Sequence, residues 1–345
     1  MRRPFLAALA GACLLAAPVA LAADAGPAAT WAKREIKLVV GQGLMAPDVE
    51  SFRPADPLTR AELAELVTGL TGLAPRAPAK PGTNVTMAEL DRRLVGALGL
   101  QDAAAAFAAG AQAAGLQPPA RFGNEVVARL LGLRTNHPAG RDDLERQPSE
   151  PASRAEAAFS AARVLSLDGW EGESVRESAL SFALPELEPW QRQVLRTAFS
   201  LIGYPYVWGG ESERLERGFD CSGFVWRVYK LQAYAGSAGL ADTLRGRTSY
   251  AMSGEVPRAQ RIRFRELAPG DVVFFGVAGP RSKPAQVDHM GIYAGSGWLI
   301  HSSRYGVALA RLDGWYRARF AWGRRPLAEA GLISAAGPVK TEENP

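Results

Sequence analysis

The chain has 345 residues, of which 47% are apolar, and its formal net charge is +5. This length and composition predict a globular protein of about two domains, each able to bury a core, and exclude a disordered chain. The small positive charge does not indicate nucleic-acid binding. After residue 22, no apolar run approaches the roughly 20 residues that a membrane span needs.

The first 22 residues have the pattern of an export signal. Arg2 and Arg3 precede the apolar run FLAALAGACLLAAPVALA, whose last residues form a small-residue cleavage site. Cleavage after Ala22 would give an exported protein in the periplasm or at the cell wall, by a route that stays open. It would lower the net charge by two, from +5 to +3, and remove Cys13, which leaves Cys221 without a disulfide partner in the chain.

Residues 28–168 contain an internal repeat, clearest at three helix starts: PLTRAELAELVTGL at 57, NVTMAELDRRLVGAL at 84 and PASRAEAAFSAARVL at 151. In each copy a Thr or Ser stands three residues before a Glu, which is the spacing of a capping box. The pairs are Thr59 and Glu62, Thr86 and Glu89, and Ser153 and Glu156. Further helical patterns near 30, at 102–115 and from 124 complete an all-α region of three units.

Parts of this region resemble the S-layer homology repeat. WAKREIKLVVGQGLMAPDVESFRPADPLTRAEL is similar to a whole repeat, and ERQPSEPASRAEAA to the second half of another. The resemblance implies a pseudo-threefold bundle whose TRAE arginines bind an acidic cell-wall polymer. Arg60 and Arg154 match these arginines, whereas Met87 takes that place in the middle copy. An Arg in the first turn of a helix suits an anion; the alternative is that each capping box only starts a helix.

The second half of the chain changes pattern. Residues 169–189 form an acidic connector with little periodicity, a second domain occupies 190–328, and 329–345 are expected to be a flexible tail. WQRQVLRTAFSLIG, from 190, has apolar residues at helical spacing. DVVFFGV, HMGIYAG and WLIHSSR are short runs typical of strands. A helix followed by strands predicts an α+β domain.

The segment GFDCSGFVWRVYK contains Cys221, which we expect in the first turn of a helix with Asp220 as its N-cap. The helix dipole and the free N–H groups there would lower the pKa of the thiol. Val225 and Val228 share its helical stripe, so the sulfur should face the sheet. On residue types alone, a buried structural thiol is the alternative.

A thiolate nucleophile needs a base, and the chain has three histidines. His137, in the loop NHPAG, is expected on the solvated surface. His289 and His301 flank a predicted hairpin. If residues 295–297 are a three-residue turn, Gly291 lies opposite His301 and both imidazoles lie on one face of the sheet, within reach of each other. Cysteine, histidine base and an orienting polar residue make a cysteine-peptidase triad.

This half closely resembles the NlpC-type family of cell-wall cysteine peptidases. The matching segments are PYVWGG at 205, FDCSGFV at 219, RTS at 247, LAPGDVVFF at 267, VDHMGIYAG at 287, LIHSS at 299 and RFAWGRRP near the end. The fold implied is α+β, with a papain-like catalytic domain preceded by an all-α domain of three S-layer-homology-like repeats. A Cys-His-His zinc site is the other interpretation, and it lacks ligands unless Asp220 or Asp288 joins.

The resemblance also implies roles for single residues. Cys221 would be the nucleophile, His289 the general base and acid, and His301 the residue that orients His289. Tyr206 and the backbone N–H of Cys221 would hold the oxyanion.

Three further residues match substrate-binding positions of the family. Asp220 and Ser222 match positions that hold the free amino end of short stem peptides in some relatives, although they also suit a helix cap. Trp208 is a candidate substrate contact, with core or cleft wall as the alternative.

The function implied is an exported peptidoglycan hydrolase that cuts stem peptides through an acyl-enzyme, most often between γ-D-glutamate and diaminopimelate or L-lysine. No metal or other cofactor and no nucleic acid is expected, and the repeats would tether the enzyme to an acidic wall polymer. The alternatives are an amidase or acyl transferase on the same fold, and an inactive wall-binding scaffold.

Overall fold

The computed structural model describes residues 31–73, 77–237 and 239–334, so the predicted signal and most of the predicted tail lie outside the described residues. The first half is helical, with α1 Lys33–Gly41, α2 Arg60–Thr71, α3 Met87–Ala97, α4 Gln101–Ala113, α5 Phe122–Leu130, α6 Arg154–Leu165 and α7 Gly169–Leu180. Every helix predicted from the repeats is present, and together they confirm the all-α region.

The three repeated helix starts meet in a closed ring. Leu58, Val85 and Ala152 each stand just before an N-cap residue and are fully buried. Leu58 donates its N–H to the carbonyl of Ala152, Ala152 to that of Val85, and Val85 to that of Leu58, each at 2.8 Å. Because every start pairs with both others, the repeats are arranged about a pseudo-threefold axis.

The caps form as the spacing predicts, but only one capping box is complete. Each N-cap hydroxyl accepts from the N–H of the Glu three residues later, in α2, α3 and α6. Only Glu62 reaches back, to the N–H of Thr59 at 2.8 Å. Glu89 and Glu156 instead contact a basic residue from another part of the ring. Their carboxylates therefore join segments that are distant in sequence.

The prediction that His137 lies on the solvated surface is wrong. Its side chain is 3% exposed and lies between two carboxylates, with Nδ1 3.2 Å from Glu145 Oε1 and Nε2 3.1 Å from Glu156 Oε1. Its ring packs edge-on against Trp31, with centroids 4.3 Å apart. A Pro-rich loop is normally exposed, but this one closes over the ring of helix starts.

The predicted connector contains a helix, α7. Asp168 is its N-cap residue and donates its backbone N–H to Glu171 Oε2 at 3.0 Å, and the helix packs on α4 through the buried Val175 and Ala179. Two apolar residues four positions apart are too few to give a helical period in the sequence, yet they are enough to place one turn against a neighbouring helix. Only residues 181–188 connect the two halves without helix or strand.

The second half begins with α8, Pro189–Ser200, and contains an antiparallel five-stranded sheet in the order β6-β5-β4-β3-β7. The helix and the three predicted strand runs are confirmed. A two-stranded ribbon of β1 and β2 lies apart from this sheet. The strands and remaining helices of this second half are β1 Glu211–Ser212, β2 Gly218–Phe219, α9 Cys221–Trp226, α10 Leu240–Thr243, α11 Ser249–Gly254, β3 Val272–Gly276, β4 Val287–Gly295, β5 Trp298–Ser303, β6 Gly306–Arg311, α12 Gly314–Arg319, β7 Phe320–Arg324 and α13 Pro326–Glu329.

The two halves share one hydrophobic core. The rings of Phe107, from α4, and Phe182 meet the face of Trp298, from β5, at 87° and with centroids 5.8 and 5.2 Å away. The buried guanidinium of Arg129, from α5, donates to the carbonyl of Gly203 at 2.6 Å. Aromatic burial of this kind stabilises domain contacts strongly, so the helical half is packed onto the sheet and is not a separate module on a linker.

Within the described residues no single helix is long and apolar enough to cross a membrane. Only α3 and α4 taken together, across a bend of 120°, reach the required length and composition.

Candidate active site

Cys221 is the first residue of α9, as the sequence predicts. The Asp220 side chain caps this helix by accepting the N–H of Gly223 at 2.5 Å. A Cβ on Gly223 would lie 1.8 Å from the carbonyl oxygen of Gly210, so only glycine lets the turn after Trp208 approach the helix start. The helix packs on β4, which places Cys221 over the strand that carries His289.

The two histidines meet as the alternation of the strands predicts. His289 Nε2 lies 2.8 Å from His301 Nδ1. The pairing of Ile292 with Ile300, continued by one residue, puts Gly291 opposite His301. The turn itself differs from the prediction: Gly295 pairs with Trp298, and the register shifts at Ala294.

This β-bulge explains why the prediction of the histidine pair is right although the turn is one residue shorter. Ser296 and Gly297 form a two-residue turn, and both have positive φ, 49° and 77°, as the primed hairpin turns require. The shorter turn alone would have moved one histidine to the other face. The extra residue in β4 restores the register.

Tyr316 is a further member of the site that the sequence did not indicate. It belongs to α12, and its hydroxyl oxygen lies 3.2 Å from His301 Nε2. Its ring lies edge-on to that of His301, with centroids 4.9 Å apart. Nothing in the local pattern of GWYRAR marks it, because only the packing of α12 brings it to the sheet. The hydrogen-bonded row therefore runs from His289 through His301 to Tyr316.

This row defines which nitrogen can act as a base. Since Nε2 of His289 faces His301, Nδ1 is the nitrogen left to accept a proton from Cys221. In a neutral His289 with Nδ1 free, Nε2–H donates to His301 Nδ1, and His301 Nε2–H then donates to the hydroxyl oxygen of Tyr316. Tyr316 therefore accepts the last hydrogen bond of this row when His289 is in the tautomer that leaves Nδ1 free to accept a proton.

Burial determines the resting charges of Cys221 and His289. The prediction that the pKa of the thiol is lowered is wrong. Burial raises the pKa of Cys221 to about 12, and the negative charge of Asp220 adds to this. The N–H groups of Met290, Ser222 and Cys221 itself act in the opposite direction and are outweighed. Burial lowers the pKa of His289 to about 4. The resting pair is therefore a thiol and a neutral imidazole.

Tyr206 lies near enough to Cys221 and Asp220 for their charges to act on its hydroxyl. Burial raises the pKa of its hydroxyl well above the ordinary value, and the charges of Cys221, Asp220 and Asp142 add to that effect. Tyr206 therefore stays protonated, as a hydrogen-bond donor must. Trp208, two residues on, is 82% exposed, so its interpretation as a core residue is wrong, and a cleft wall or a substrate contact remains.

Asp220 and Ser222 are held in a network around Arg247. Ser222 Oγ donates to Asp220 Oδ1 at 2.9 Å, and Arg247 Nη1 donates to Ser222 Oγ at 2.8 Å. Asp220 Oδ2 accepts the N–H of Gly209 at 3.0 Å. The helix-cap interpretation of Asp220 is confirmed, and Oδ2, with one partner, is its more open oxygen.

The two arginines matched to polymer binding differ in exposure. Arg60 pairs with Glu89 of the next repeat at 3.1 Å, and its side chain is 34% exposed. The Arg154 side chain is 5% exposed; it pairs with Glu62 and donates to the carbonyls of Phe52 and Met45.

An open cavity of about 480 Å³ lies beside Arg154, with Arg53 and the carboxylates of Glu62 and Glu65 in its wall. Most donors of Arg154 are therefore already used inside the protein, while Arg60 and Arg53 present charge to solvent. Within residues 31–73, 77–237 and 239–334, including the surroundings of Cys221, no group of three or more His, Cys, Asp or Glu side chains could hold a metal ion.

The geometry so far defines an α+β domain with a cysteine at a helix start and a histidine pair on the adjoining strands. Comparison with known proteins places it further: residues 203–325 match the model of the NlpC/P60 family, and residues 23–64 match that of the S-layer homology domain. Both family resemblances seen in the sequence are confirmed, that to the S-layer homology domain over its first repeat.

Several curated proteins are similar to part of the chain. The probable endopeptidase YafL of Escherichia coli (strain K12) is 33% identical over 135 residues, 38% of this chain and 48% of that protein. The murein DD-endopeptidase MepH of Escherichia coli (strain K12) is 40% identical over 105 residues, 30% and 33% of the two chains. The gamma-D-glutamyl-L-lysine dipeptidyl-peptidase of Bacillus subtilis (strain 168) is 28% identical over 116 residues, 34% and 33%. The chain spans less than half the length of each.

Proposed function

We propose that the protein is an exported peptidoglycan hydrolase, a cysteine endopeptidase that cleaves stem peptides with Cys221, His289 and His301. The observation that carries the proposal is the 2.8 Å contact between the two imidazoles on the strand pair beneath Cys221. A structural thiol would have no use for a row of hydrogen-bonded groups on the strand beside it that leaves Nδ1 of His289 outside the row. The NlpC/P60 match and the endopeptidase names of the relatives support it.

The mechanism follows from the resting charges. Because Cys221 is a thiol at neutral pH, its proton passes to His289 Nδ1 while sulfur forms a bond to the peptide carbonyl carbon. Tyr206 and the Cys221 N–H donate to the carbonyl oxygen as it becomes negative. The tetrahedral adduct collapses, the C–N bond breaks, and His289 returns the proton to the leaving amine. Water, deprotonated by His289, then attacks the thioester carbon, the C–S bond breaks, and His289 returns the proton to the sulfur of Cys221.

The bond that we propose is the one between γ-D-glutamate and diaminopimelate or L-lysine. The name of the Bacillus subtilis relative describes such a bond, with lysine, while that of MepH describes a different one in murein. In this protein the open oxygen of Asp220, with Ser222 beside it, suits a free amino end of the substrate, and the exposed Trp208 offers an apolar wall. A substrate with an amino end close to the scissile bond therefore fits best.

The first experiment is mass spectrometry of defined stem peptides incubated with the mature protein and with Cys221→Ala. L-Ala-γ-D-Glu-diaminopimelate and its lysine counterpart, each with a free or a blocked amino end, are the substrates. Release of L-Ala-D-Glu that needs Cys221 supports the proposal, and preference for the free amino end supports the role of Asp220. Products that carry a transferred acyl group or a cleaved amide outside the stem would favour an acyl transferase or amidase. A folded protein that cleaves neither these peptides nor sacculi would be a scaffold.

We also propose that the repeats tether the protein to an acidic wall polymer. The support is the exposed charge of Arg60 and that of Arg53, which lines the cavity beside Arg154, together with the S-layer homology match. Arg60→Gln with Arg53→Gln should reduce retention on purified wall material that contains the polymer. Arg34→Gln, which removes an exposed charge from α1, is the matched control. Equal retention of all three proteins would contradict the tether without affecting the peptidase.

A further inference from the structure

Asn136, in the loop between α5 and α6, pairs with the backbone of Tyr206 through both ends of its amide. Its Nδ2 donates to the Tyr206 carbonyl at 2.6 Å, and its Oδ1 accepts the Tyr206 N–H at 3.2 Å. Its own backbone N–H donates to the carbonyl of Arg304 at 2.6 Å. Three hydrogen bonds thus join one residue of the repeat domain to the domain that carries Cys221.

The loop that carries Asn136 is fixed on its other side. The next residue, His137, is buried between Glu145 and Glu156, and its backbone N–H also donates to Glu145 Oε1 at 2.7 Å. The edge-on contact with Trp31 closes the remaining side of the ring. Asn136 therefore projects from a rigid point, and not from a free loop.

The place of His137 in the ring of repeats explains why the loop lies there. At the other two junctions an arginine from one helix start pairs with the Glu of the next: Arg60 with Glu89, and Arg154 with Glu62. At the third junction the corresponding residue is Met87, and Glu156 receives His137 instead. The repeat that lacks its arginine is thus the one whose junction is closed by the loop that reaches the catalytic domain.

A second contact follows the same strip of backbone. Asp142 Oδ2 accepts the N–H of Trp208 at 3.4 Å, two residues after Tyr206. The loop therefore lies along residues 206–208 and not at one point only. A shift of this strip would move the Tyr206 hydroxyl, whose neighbours include Cys221 and Asp220.

We propose that Asn136 is a positioning residue of the active site, which holds the Tyr206 main chain so that the phenol stays in the neighbourhood of Cys221. The role of Tyr206 as a donor to the oxyanion rests on the proposed peptidase function. The shielding of the Cys221 thiol by Tyr206 does not rest on it. An amide that satisfies both the donor and the acceptor of one residue defines its position better than a single bond. The repeat domain is by this account a structural part of the catalytic centre.

The experiment compares Asn136→Ala with Gln147→Ala in the full chain. Gln147 lies in the same loop region and also makes two side-chain hydrogen bonds to the catalytic domain, to the carbonyls of Glu213 and Arg217. Both variants lose the same kind of interface contact, so their melting temperatures should fall alike. We expect kcat on the stem peptide to fall roughly tenfold or more in Asn136→Ala, with KM little changed, and less than about twofold in Gln147→Ala.

Two further readouts separate positioning from stability. In a Tyr206→Phe background the effect of Asn136→Ala on kcat should largely disappear, because both changes act through the same hydroxyl. Iodoacetamide should alkylate Cys221 several-fold faster in Asn136→Ala than in the wild type or Gln147→Ala, because a loosened Tyr206 shields the thiol less.

The alkylation rate decides the inference even if the protein cleaves no stem peptide, which would refute only the proposed function. Equal alkylation rates in the two variants, or fully additive losses of kcat in the double variant, would overturn the positioning role.

Discussion

The two halves of the protein both bury histidine, and they set its charge in opposite directions. Burial lowers the pKa of His137, but the carboxylates of Glu145 and Glu156 outweigh burial and raise it to about 9. His289 is partly buried, and its pKa is lowered to about 4, since the nearby Asp288 only partly offsets desolvation and Arg319 adds to it. The first histidine is a cation in the folded protein and the second is a neutral base.

The difference shows that the partner, and not burial alone, decides what a buried imidazole does. His137 replaces an arginine in a ring of ion pairs, so it needs its charge. His289 faces another imidazole and a thiol, neither of which stabilises a positive charge before reaction. Four changes test this contrast.

The largest effect is expected from His289→Ala. Because the Cys221 thiol keeps its proton at neutral pH, attack depends on a base, and removal of that base should lower kcat on the stem peptide about a thousandfold. Steady-state kinetics with matched circular dichroism spectra are the measurement. Retention of more than a tenth of the wild-type kcat would show that the thiolate forms without His289.

His137→Gln should destabilise the repeat domain by about 3 kcal/mol, because it leaves two buried carboxylates without their cation. In the wild type, a folded pKa of about 9 lies above the ordinary value of 6.5. The stability that His137 contributes is therefore fully present below pH 6.5 and is lost as the pH rises through 9. Urea unfolding between pH 6 and 10 measures both effects.

Arg141→Gln is the control for this variant, because Arg141 pairs with Asp143 on the surface. It should leave unfolding unchanged. A wild-type stability that stays constant across the same pH window would contradict a charged His137.

The acid limb of kcat/KM should lie near pH 4. His289 acts as a base only when it is neutral, and its pKa is lowered to about 4. An imidazole with the ordinary pKa of 6.5 would keep only about 3% of its base form at pH 5, whereas the wild type should be almost fully active there. A kcat/KM profile from pH 3.5 to 8, on protein shown to stay folded, is the measurement, and a limb at 6 to 7 would contradict the neutral pair.

The smallest of the four effects is expected from Tyr316→Phe. The change removes the acceptor for His301 Nε2–H, and a hydrogen bond of this kind contributes about 1 to 1.5 kcal/mol, so kcat/KM should fall roughly tenfold. Tyr305→Phe is the control, because that hydroxyl contacts the Arg304 side chain and not the histidines. Equal activities of the two variants would remove Tyr316 from the site.

Much of the active site was predictable because its geometry is local. Asp220 caps the helix that begins at Cys221, as the preference of short polar side chains for N-cap positions requires. His289 and His301 share a face because side chains alternate along strands. The three repeated caps, at Thr59, Thr86 and Ser153, were also predictable, because a cap depends only on residues within one helical turn.

The errors at His137, α7 and the hairpin turn have different causes. His137 is 8 and 19 residues from the two carboxylates that enclose it, and nothing near NHPAG predicts them. The helix α7 has only two buried positions, too few for a periodic signal. The turn after β4 has two residues where the sequence predicts three, and a bulge in β4 compensates for the difference.

The sequence by itself determined the helix starts, the strand faces and the two family resemblances. It also determined the choice of Cys221, His289 and His301 as candidate site residues. These depend on backbone hydrogen bonding and side-chain periodicity over a few residues. The tertiary structure decided the charges of Cys221, His137 and His289, the membership of Tyr316 and the contact of Asn136 with Tyr206. Those depend on desolvation and on neighbours from other elements, and a pKa is a property of the surroundings and not of the residue.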